Sequence, residues 1–400
     1  MKRENNKRGF IQKRLYTYHL LNDGITFILP TLMASFFILF NLTWFQMGLI
    51  FAFNSLATIV GQLIIGYYTD KNKSKLLMKI GLFLLALTSF LMIFSYDFIS
   101  LLIFAIFSGI ALGFQHSIAY ATTSRMYKDD KDVMIGKQGA AGDVGKCLAV
   151  FSSALLIIFF SSWQLVLLLW SIIIFISFLI IVYNFRTIKF KDYFYELNDN
   201  ENPDLLSEKG GKKHVLSLIP IIYILFLAVY SLLITNLATY LKVEKKGLVS
   251  EFSALILGYT LIFGVLGAYF SGKAKKKFGV KKSIMMFGSI IIITLVVYFL
   301  LDTSDLILTL IIYSIIGFFL FLIYPQLLAA VNEIFHSSKI GFGYGVVLSL
   351  GWLGAFMGSL IGGFLADKYS GDVFLVLGIG GLISVLILAL FMKSKERQIF

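Results

Sequence analysis

Twelve long apolar runs make up most of the sequence, and they constrain the fold more than any other feature. Each is about twenty residues long, the length that an α-helix needs to cross the hydrocarbon core of a bilayer. An outer-membrane barrel would instead show segments of about ten residues with alternating polarity. With 58% hydrophobic residues and a mean hydropathy of +0.86, the chain is too apolar for a water-soluble globule. We therefore expect an all-α polytopic membrane protein.

The apolar runs fall into two groups of six. The predicted spans are 15–40, 44–68, 77–96, 99–124, 136–160, 163–185, 215–241, 251–271, 283–301, 305–333, 342–366 and 373–392. Between the groups lies a polar segment with six basic and six acidic residues among 29, a composition that cannot bury a core. We therefore predict five regions. They are a basic N-terminal segment (1–14), a six-helix bundle (15–185), a linker (186–214), a second six-helix bundle (215–392) and a tail (393–400).

Lysine and arginine are distributed unevenly between the two ends of the predicted spans. Of 35 such residues, 30 belong to segments at one end, four lie at the other end, and Lys146 lies within a span. Because cytoplasmic segments carry an excess of Lys and Arg, we expect both termini and the linker to be cytoplasmic. The basic start runs directly into a full-length span, which we expect to stay as an anchor in the cell membrane.

The two groups of spans resemble copies of one another. A shift of 206 residues superimposes Gly61 on Gly267, Gly66 on Gly272, Gly139 on Gly345 and Gly145 on Gly351. Two pseudo-symmetric six-helix bundles are the plan of transporters that rock one bundle against the other around a central site. The alternative is that glycines are simply frequent in membrane helices.

Three motifs near the N-terminus resemble the major facilitator superfamily. Span two ends in Gly66-Tyr-Tyr-Thr-Asp70-Lys71, which is similar to the superfamily's signature loop of a glycine, an acid and clustered basic residues. With His19-Leu-Leu-Asn22-Asp23 in span one and Phe45-Gln-Met-Gly-Leu49 in span two, it resembles the fosmidomycin-resistance branch. The resemblance implies the major facilitator fold and a proton-driven antiporter that exports small toxic molecules, a drug-resistance function.

Two segments depart from that branch. Where the family has a histidine-proline-acid cluster at the end of span four, this chain has Gln115-His116-Ser117 and keeps only the histidine. Span five contains Gly142-Asp143-Val144, with an acid where the family has an uncharged polar residue. These departures leave the substrate open.

Ionisable side chains within the spans are the candidates for chemistry. Asp23, His116, Asp143 and Lys146 lie roughly 10–15 Å from the cytoplasmic ends of their helices at about 1.5 Å per residue, and so share one layer. Charges at that depth are costly unless they are paired or hydrated, so we expect them to face water or one another. Asp143 and Lys146, three residues apart, can alternatively form a purely structural ion pair.

Span one carries the predicted coupling site. His19 and Asp23 are four residues apart on one helix face, with Asn22 beside them as a hydrogen-bonding partner. A partly dry cavity favours the protonated carboxyl, whereas a nearby imidazolium favours the ionised form. Proton and substrate can therefore exclude one another at a single site, which antiport requires. The predicted coupling residues, with Asp23 ranked first, are His19, Asp23, His116 and Asp143.

Prolines and aromatic residues mark the helices that the resemblance places around a central cavity. Pro30, Pro220 and Pro325 lie in spans one, seven and ten, and a proline inside a membrane helix is tolerated where cavity water or a neighbour satisfies the freed carbonyl. Aromatic residues there can stack on a substrate or simply pack. The predicted cavity residues are Asn22, Phe27, Tyr120, Lys146, Tyr223, Tyr230 and Tyr324.

The resemblance also implies a gate at the cytoplasmic side. In the superfamily the acid that matches Asp70 meets a basic residue at the end of span four, for which Arg125 is the candidate. The 206-residue shift places Lys276 at the position of Asp70, and Glu333 lies close to the position of Arg125. The alternative is that Lys276 is an ordinary cytoplasmic lysine. The predicted gating residues are Gly66, Asp70, Lys71, Arg125, Lys276 and Glu333.

Enzyme motifs are not recognised in the sequence. It contains no phosphate loop, zinc helix with paired histidines or nucleophile elbow. Four scattered histidines and the single Cys147 predict no catalytic site, no metal site and no cofactor. We expect a monomeric secondary transporter with a small-molecule substrate, protons as coupling ion and no nucleic-acid partner. The alternatives are an importer or exporter of a small metabolite or ion on the same fold, or a non-transporting sensor.

Overall fold

The computed structural model describes residues 2–127, 131–194, 218–334 and 340–392. These residues form helices and turns, without a β-strand in the described ranges. Ten helices are long and apolar enough to cross a membrane. The pair Ile219–Thr235 and Leu237–Glu244, bent by 46°, makes a further span, and the 49-residue helix Ser253–Leu301 holds two. The all-α architecture with twelve spans is therefore as predicted.

Seven helices form the first half. They are α1 (Lys2–Leu39), α2 (Trp44–Asp70), α3 (Ser74–Leu91), α4 (Phe98–Leu112), α5 (Gln115–Met126), α6 (Lys131–Phe160) and α7 (Trp163–Asn184). Helices α4 and α5 together make one span. Thr43 and Asp97 start α2 and α4 with capping boxes, which satisfy backbone N–H groups that a helix start leaves unpaired.

The second half contains the remaining helices. They are α8 (Ile219–Tyr230), a π-helical turn (Ser231–Thr235), α9 (Leu237–Glu244), α10 (Gly247–Glu251), α11 (Ser253–Leu301), α12 (Leu306–Ile334), α13 (Ile340–Lys368) and α14 (Val373–Leu390). Of the predicted linker (186–214), residues 195–214 lie outside the described ranges, as does the predicted tail (393–400). The limits of the predicted regions therefore stay predictions.

Span seven bends at a different place from the one that its proline suggested. Pro220 lies in the first turn of α8, where the backbone N–H groups have no partner within the helix, so the proline removes no helical hydrogen bond. The bend instead follows the π-helical turn, where the Asn236 side chain donates hydrogen bonds to the carbonyl oxygens of Ser231, at 3.1 Å, and Leu232, at 3.4 Å. The side-chain amide stands in for backbone bonds that the irregular turn loses.

Two helices run beyond their predicted spans at the end of the bundle that carries Lys71, Lys73 and Arg125, which we call the basic end. Helix α1 begins at residue 2 instead of 15, and α11 continues through the predicted loop 272–282. Only Gly279 interrupts α11, with φ of 72°, a conformation that glycine adopts without strain. The added start of α1 packs on the bundle, since Ile11 and Gln12 are buried and Gln12 Nε2 donates a hydrogen bond to Gln138 Oε1 at 2.9 Å. In α11, Gly279 separates two helices that together fill the predicted loop.

Glycines set the closest approaches within each half. Gly61 packs on α4 and Gly267 packs on α12, the matching helix of the second half. Gly145 likewise packs on α1, and Gly351 on the matching helix α8. These two pairs support the pseudo-symmetry. The other two pairs do not match, since Gly66 and Gly345 meet the opposite half whereas Gly139 and Gly272 face open space.

Helices α2 and α13 join the two halves along their whole length. Near the basic end, a Cβ atom at Gly66 would lie 2.6 Å from the carbonyl oxygen of Gly341. Near the opposite end, a Cβ atom at Gly48 would lie 2.5 Å from the carbonyl oxygen of Ser359. The backbones of α2 and α13 therefore touch near both ends of this helix pair.

Candidate functional site

A cavity of about 140 Å³ lies between the two halves. The acid, the lysine and the histidine of its lining come from the first half, through Asp23, Lys146 and His116. Most of its aromatic lining comes from the second half. The aromatic residues at its wall are Phe27, Phe51, Tyr223, Tyr230, Phe321, Tyr324 and Trp352. The cavity thus combines one charged wall with one aromatic wall.

Asp23 lies at the centre of the charged wall. The Nε2 atoms of His19 and His116 lie 3.4 and 3.3 Å from its Oδ1 atom. The ammonium of Lys146 lies 3.3 Å from its Oδ2 atom and donates a hydrogen bond to Asp143 at 2.8 Å. Helices α1, α5 and α6 therefore bring the four predicted coupling residues and Lys146 into one contiguous cluster.

Two glycines on α6 allow this cluster to form. A Cβ atom at Gly142 would lie 2.6 Å from Asp23 Oδ2, and one at Gly145 would lie 2.0 Å from the carbonyl oxygen of Leu20. Only glycine lets the α6 backbone come so close to α1 that Lys146 reaches Asp23. The sequence marked Gly145 as a repeat position, but the role of Gly142 was missed. The sequence did hold a signal for Gly142, since it lies three residues before Gly145 on the helix that carries Asp143 and Lys146.

Several polar atoms of the cluster are buried without a hydrogen-bond partner among the described residues. They include Asp23 Oδ1, the Nδ1 atoms of His19 and His116, and both amide atoms of Asn22. A buried unpaired polar group costs about 1–3 kcal/mol. Such a concentration of unpaired buried groups in one place calls for a functional explanation, so the cluster is a candidate functional site.

The cavity wall contains five of the seven predicted cavity residues: Phe27, Lys146, Tyr223, Tyr230 and Tyr324. Asn22 and Tyr120 do not line it. Asn22 is fully buried, and the Tyr120 ring packs 5.4 Å from that of Tyr344 and 5.8 Å from that of His19.

Phe321 and Trp352 line the cavity but were missed from the sequence. The Phe321 ring centroid lies 5.9 Å from Lys146 Nζ. An aromatic residue in an apolar span gives no sequence signal that separates a cavity wall from ordinary packing.

The predicted gate residues Asp70 and Arg125 form an ion pair at the basic end. The Asp70 carboxylate also accepts hydrogen bonds from the backbone N–H groups of Gly341 at 2.8 Å and Phe342 at 2.9 Å. These amides are at the N-terminus of α13, where a helix presents unpaired donors and a positive dipole end. The carboxylate therefore fastens the first half to the second through main-chain donors.

The remaining predicted gate residues are not members of the Asp70–Arg125 ion pair. Gly66 faces Gly341 in the α2–α13 interface. Lys71 is exposed, with its ammonium 4.4 Å from the centroid of the Tyr67 ring. Lys276 is exposed on α11, and the side chain of Glu333 lies outside what the structure describes. The pairing of Lys276 with Glu333 stays a prediction.

Comparison with known proteins gives one family and one fold. The model of the Major Facilitator Superfamily matches residues 16–359. No curated protein matches the sequence. A bacterial homologue of the human lysosomal transporter Spinster, in an inward-facing and occupied conformation, superposes with a TM-score of 0.74 at 15% identity over 96% of each chain.

The nucleoside transporter NupG gives a similar result. It superposes with a TM-score of 0.70 at 15% identity, covering 95% of this chain and 97% of that one. A single-residue variant of NupG gives a TM-score of 0.73 at 14% identity, covering 95% and 98%. At these identities the likeness shows the shared fold alone.

Proposed function

The chain belongs to the major facilitator superfamily, and we propose that it is a proton-coupled secondary transporter that exports a small toxic molecule by alternating access. The superfamily consists of membrane transporters, not enzymes. The observation that carries the proposal is the Asp23 carboxylate, contacted by His19, His116 and Lys146 at the wall of a cavity between the halves. Ionisable groups so deep in a membrane bundle are costly and mark the path of an ion or a substrate.

In this proposal Asp23 couples the movement of the proton to that of the substrate. When the cavity opens to the cytoplasm, Asp23 releases its proton and the cavity takes up substrate. When the cavity opens to the outside, an incoming proton neutralises Asp23, and the substrate leaves. His116 is at the cavity wall, and His19 is behind it within 3.4 Å of the same carboxylate oxygen, so either imidazole can relay the proton. Asp143 accepts a hydrogen bond from Lys146, and we rank it below Asp23 as a candidate for proton coupling.

The orientation and the branch are also proposals. We place the basic end in the cytoplasm of a cell-membrane protein with both termini inside, on the asymmetry of its Lys and Arg residues. The fosmidomycin-resistance branch is favoured by the motifs around His19, Asp23, Gly48 and Asp70. We propose a monomer, since the cavity is completed by the two halves of one chain.

A carrier of a small metabolite or ion is the alternative function on the same fold. A growth screen of cells with and without the protein, against a panel of toxic compounds, separates the two. Export predicts protection against at least one compound, and loss of that protection in the Asp23→Asn variant. A uniform response across the panel would favour the metabolite carrier.

The coupling proposal is tested in proteoliposomes with the substrate that the screen identifies. Asp23→Asn is expected to abolish accumulation driven by a proton gradient, and the substrate binding that remains is expected to lose its pH dependence. Asp367→Asn is the matched control, because this acid is exposed near the end of α13, at the end of the bundle away from the basic end. Accumulation by Asp23→Asn equal to the parent, with the same proton flux, would move the coupling site to Asp143.

A further inference from the structure

The cavity has one carboxylate more than it has ammonium groups. Among the described residues at this layer, Asp23 and Asp143 face a single lysine, Lys146. The lysine is closer to Asp143, at 2.8 Å, than to Asp23, at 3.3 Å. Asp23 is therefore the carboxylate whose charge is left unbalanced when the imidazoles are uncharged.

The carboxylate oxygen that Lys146 does not contact is Oδ1. The side chain of Asp23 is only 8% exposed, and its Oδ1 atom has no hydrogen-bond partner among the described residues. The nearest imidazole nitrogens, at 3.3 and 3.4 Å, are farther than the 2.7–3.2 Å of a normal N–H···O bond. Asp23 lines the cavity, so a cation there can approach the carboxylate and interact with its charge.

The aromatic wall is also arranged to receive positive charge. The ammonium of Lys146 already lies over the rings of Phe27 and Phe321, 5.9 Å from each centroid. The Tyr230 ring adjoins Phe321 at 5.4 Å and Tyr324 at 6.3 Å. Aromatic faces attract cations within about 6 Å of the centroid, more strongly where water is excluded.

The volume of the cavity limits the ligand. At about 140 Å³ it is close to the roughly 150 Å³ of a cavity that holds one benzene molecule. A ligand that fits this volume is therefore about the size of a single aromatic ring.

We propose that the cavity binds a small organic monocation, about the size of one aromatic ring, between Asp23 and the aromatic wall of Tyr230, Phe321 and Tyr324. Lys146 stays paired with Asp143. An anion would have to displace Lys146 from Asp143 and then lie beside Asp23, which like charges disfavour. The inference rests on the proposed transport function of this cavity, but not on its direction or its coupling ion.

Three probes of similar shape or small size test the charge preference. N-methylpyridinium is a permanent cation, and toluene is its uncharged isostere. Methylphosphonate is a small anion. Calorimetric titration of the full-length protein in lipid nanodiscs is expected to show saturable one-to-one binding of N-methylpyridinium at least tenfold tighter than toluene. Tighter binding of methylphosphonate than of N-methylpyridinium would overturn the proposal.

Variants locate the binding determinant. Lys146→Met removes a competing positive charge and is expected to tighten N-methylpyridinium binding about tenfold, whereas an anion site would lose binding. Phe321→Leu is expected to weaken N-methylpyridinium several-fold more than toluene, because only the cation uses the ring face. Lys137→Met, at an exposed position on the same helix, is the control and should change neither affinity.

Asp23→Asn is expected to bring the affinities of N-methylpyridinium and toluene together. A preference for the cation that survives in both Asp23→Asn and Phe321→Leu would also overturn the proposal. These measurements use no proton gradient, so they stand if the coupling proposal fails. Conversely, proton-driven export of an uncharged compound without N-methylpyridinium binding would remove the cation inference and leave the proposed function intact.

Discussion

Lys146 on α6 lies 3.3 Å from the carboxylate of Asp23 on α1, so this lysine contacts a carboxylate on the neighbouring helix as well as one on its own. Its hydrogen bond to Asp143, at 2.8 Å, is the pair that the sequence suggested. The structure therefore links the structural pair to the proposed coupling residue through one ammonium group. Changing either end of the pair must alter the environment of Asp23.

A double-variant cycle separates the two roles of the pair. Lys146→Met should lower stability by about 3–5 kcal/mol, because it leaves the carboxylates of Asp143 and Asp23 without their ammonium partner. Asp143→Asn should lower stability less, because Lys146 keeps its contact with Asp23 at 3.3 Å. The double variant should recover most of that loss in a thermal-unfolding measurement. We expect proton-driven transport to stay impaired in the double variant, since Asp23 still lacks its lysine. Full recovery of transport as well as stability would make the pair purely structural.

The contact of Asp70 with Arg125 and with the backbone N–H groups of Gly341 and Phe342, which we call the latch, gives a second prediction. Asp70→Asn keeps the shape of the side chain but weakens its charge-assisted hydrogen bonds to Gly341 and Phe342, which are typically worth about 1.5–3 kcal/mol each. The basic-end-open population should rise at least tenfold. Spin labels at the exposed residues Lys73 and Lys276, in a variant without Cys147, should report longer distances. Lys71→Gln is the control, and an unchanged distance distribution in Asp70→Asn would exclude the latch.

Two glycine substitutions should bias the carrier in opposite directions. A side chain at Gly66 would collide with the backbone at the basic end, and one at Gly48 would collide with the backbone at the opposite end. Gly66→Val should therefore favour opening of the basic end, and Gly48→Val opening of the other end. Label pairs at Lys73 with Lys276, and at Tyr96 with Lys246, measure the two ends separately. The same direction of change in both variants would contradict the idea of two independent contacts.

Topology is tested by labelling from either face of the membrane. Single cysteines at Lys73 and Lys246, in a variant without Cys147, should react with an impermeant reagent from opposite sides, with only Lys246→Cys labelled on intact cells. Lys246 is exposed, whereas its neighbour Lys245 is buried. Lys245 donates a hydrogen bond to Asp302 at 2.6 Å, which lowers the pKa of that carboxyl. Labelling of both cysteines on intact cells would overturn the predicted topology.

Much of the fold was predictable from the sequence because the bilayer sets the length of an apolar run. The helix limits were less accurate, since α1 and the two parts of α11 are helical beyond their apolar runs, where hydropathy no longer reports on helicity. The charged wall was also predictable. Asp23, His116, Asp143 and Lys146 are conspicuous in apolar spans, and helical rise placed them in one layer.

The aromatic wall and the latch partners were not predictable in the same way. Phe321 and Trp352 resemble any other apolar residue of a span, so only the structure shows that they face the cavity. The donors that meet Asp70 are backbone N–H groups, which nearly every residue has. The close approach at Gly142 depends on how α6 packs on α1, a relation between segments that spacing along one helix does not reveal.

Substitutions that remove the latch are distributed unequally between the two halves of the chain. Helix α13 contributes main-chain donors at Gly341 and Phe342, and among single substitutions only proline deletes such a donor. On the other side, almost any replacement of Asp70 or Arg125 removes a charge from the contact. Spontaneous mutations that abolish the electrostatic fastening should therefore accumulate in the first half of the gene. The second half can drift at these two positions, within the steric limit at Gly341, while the contact persists.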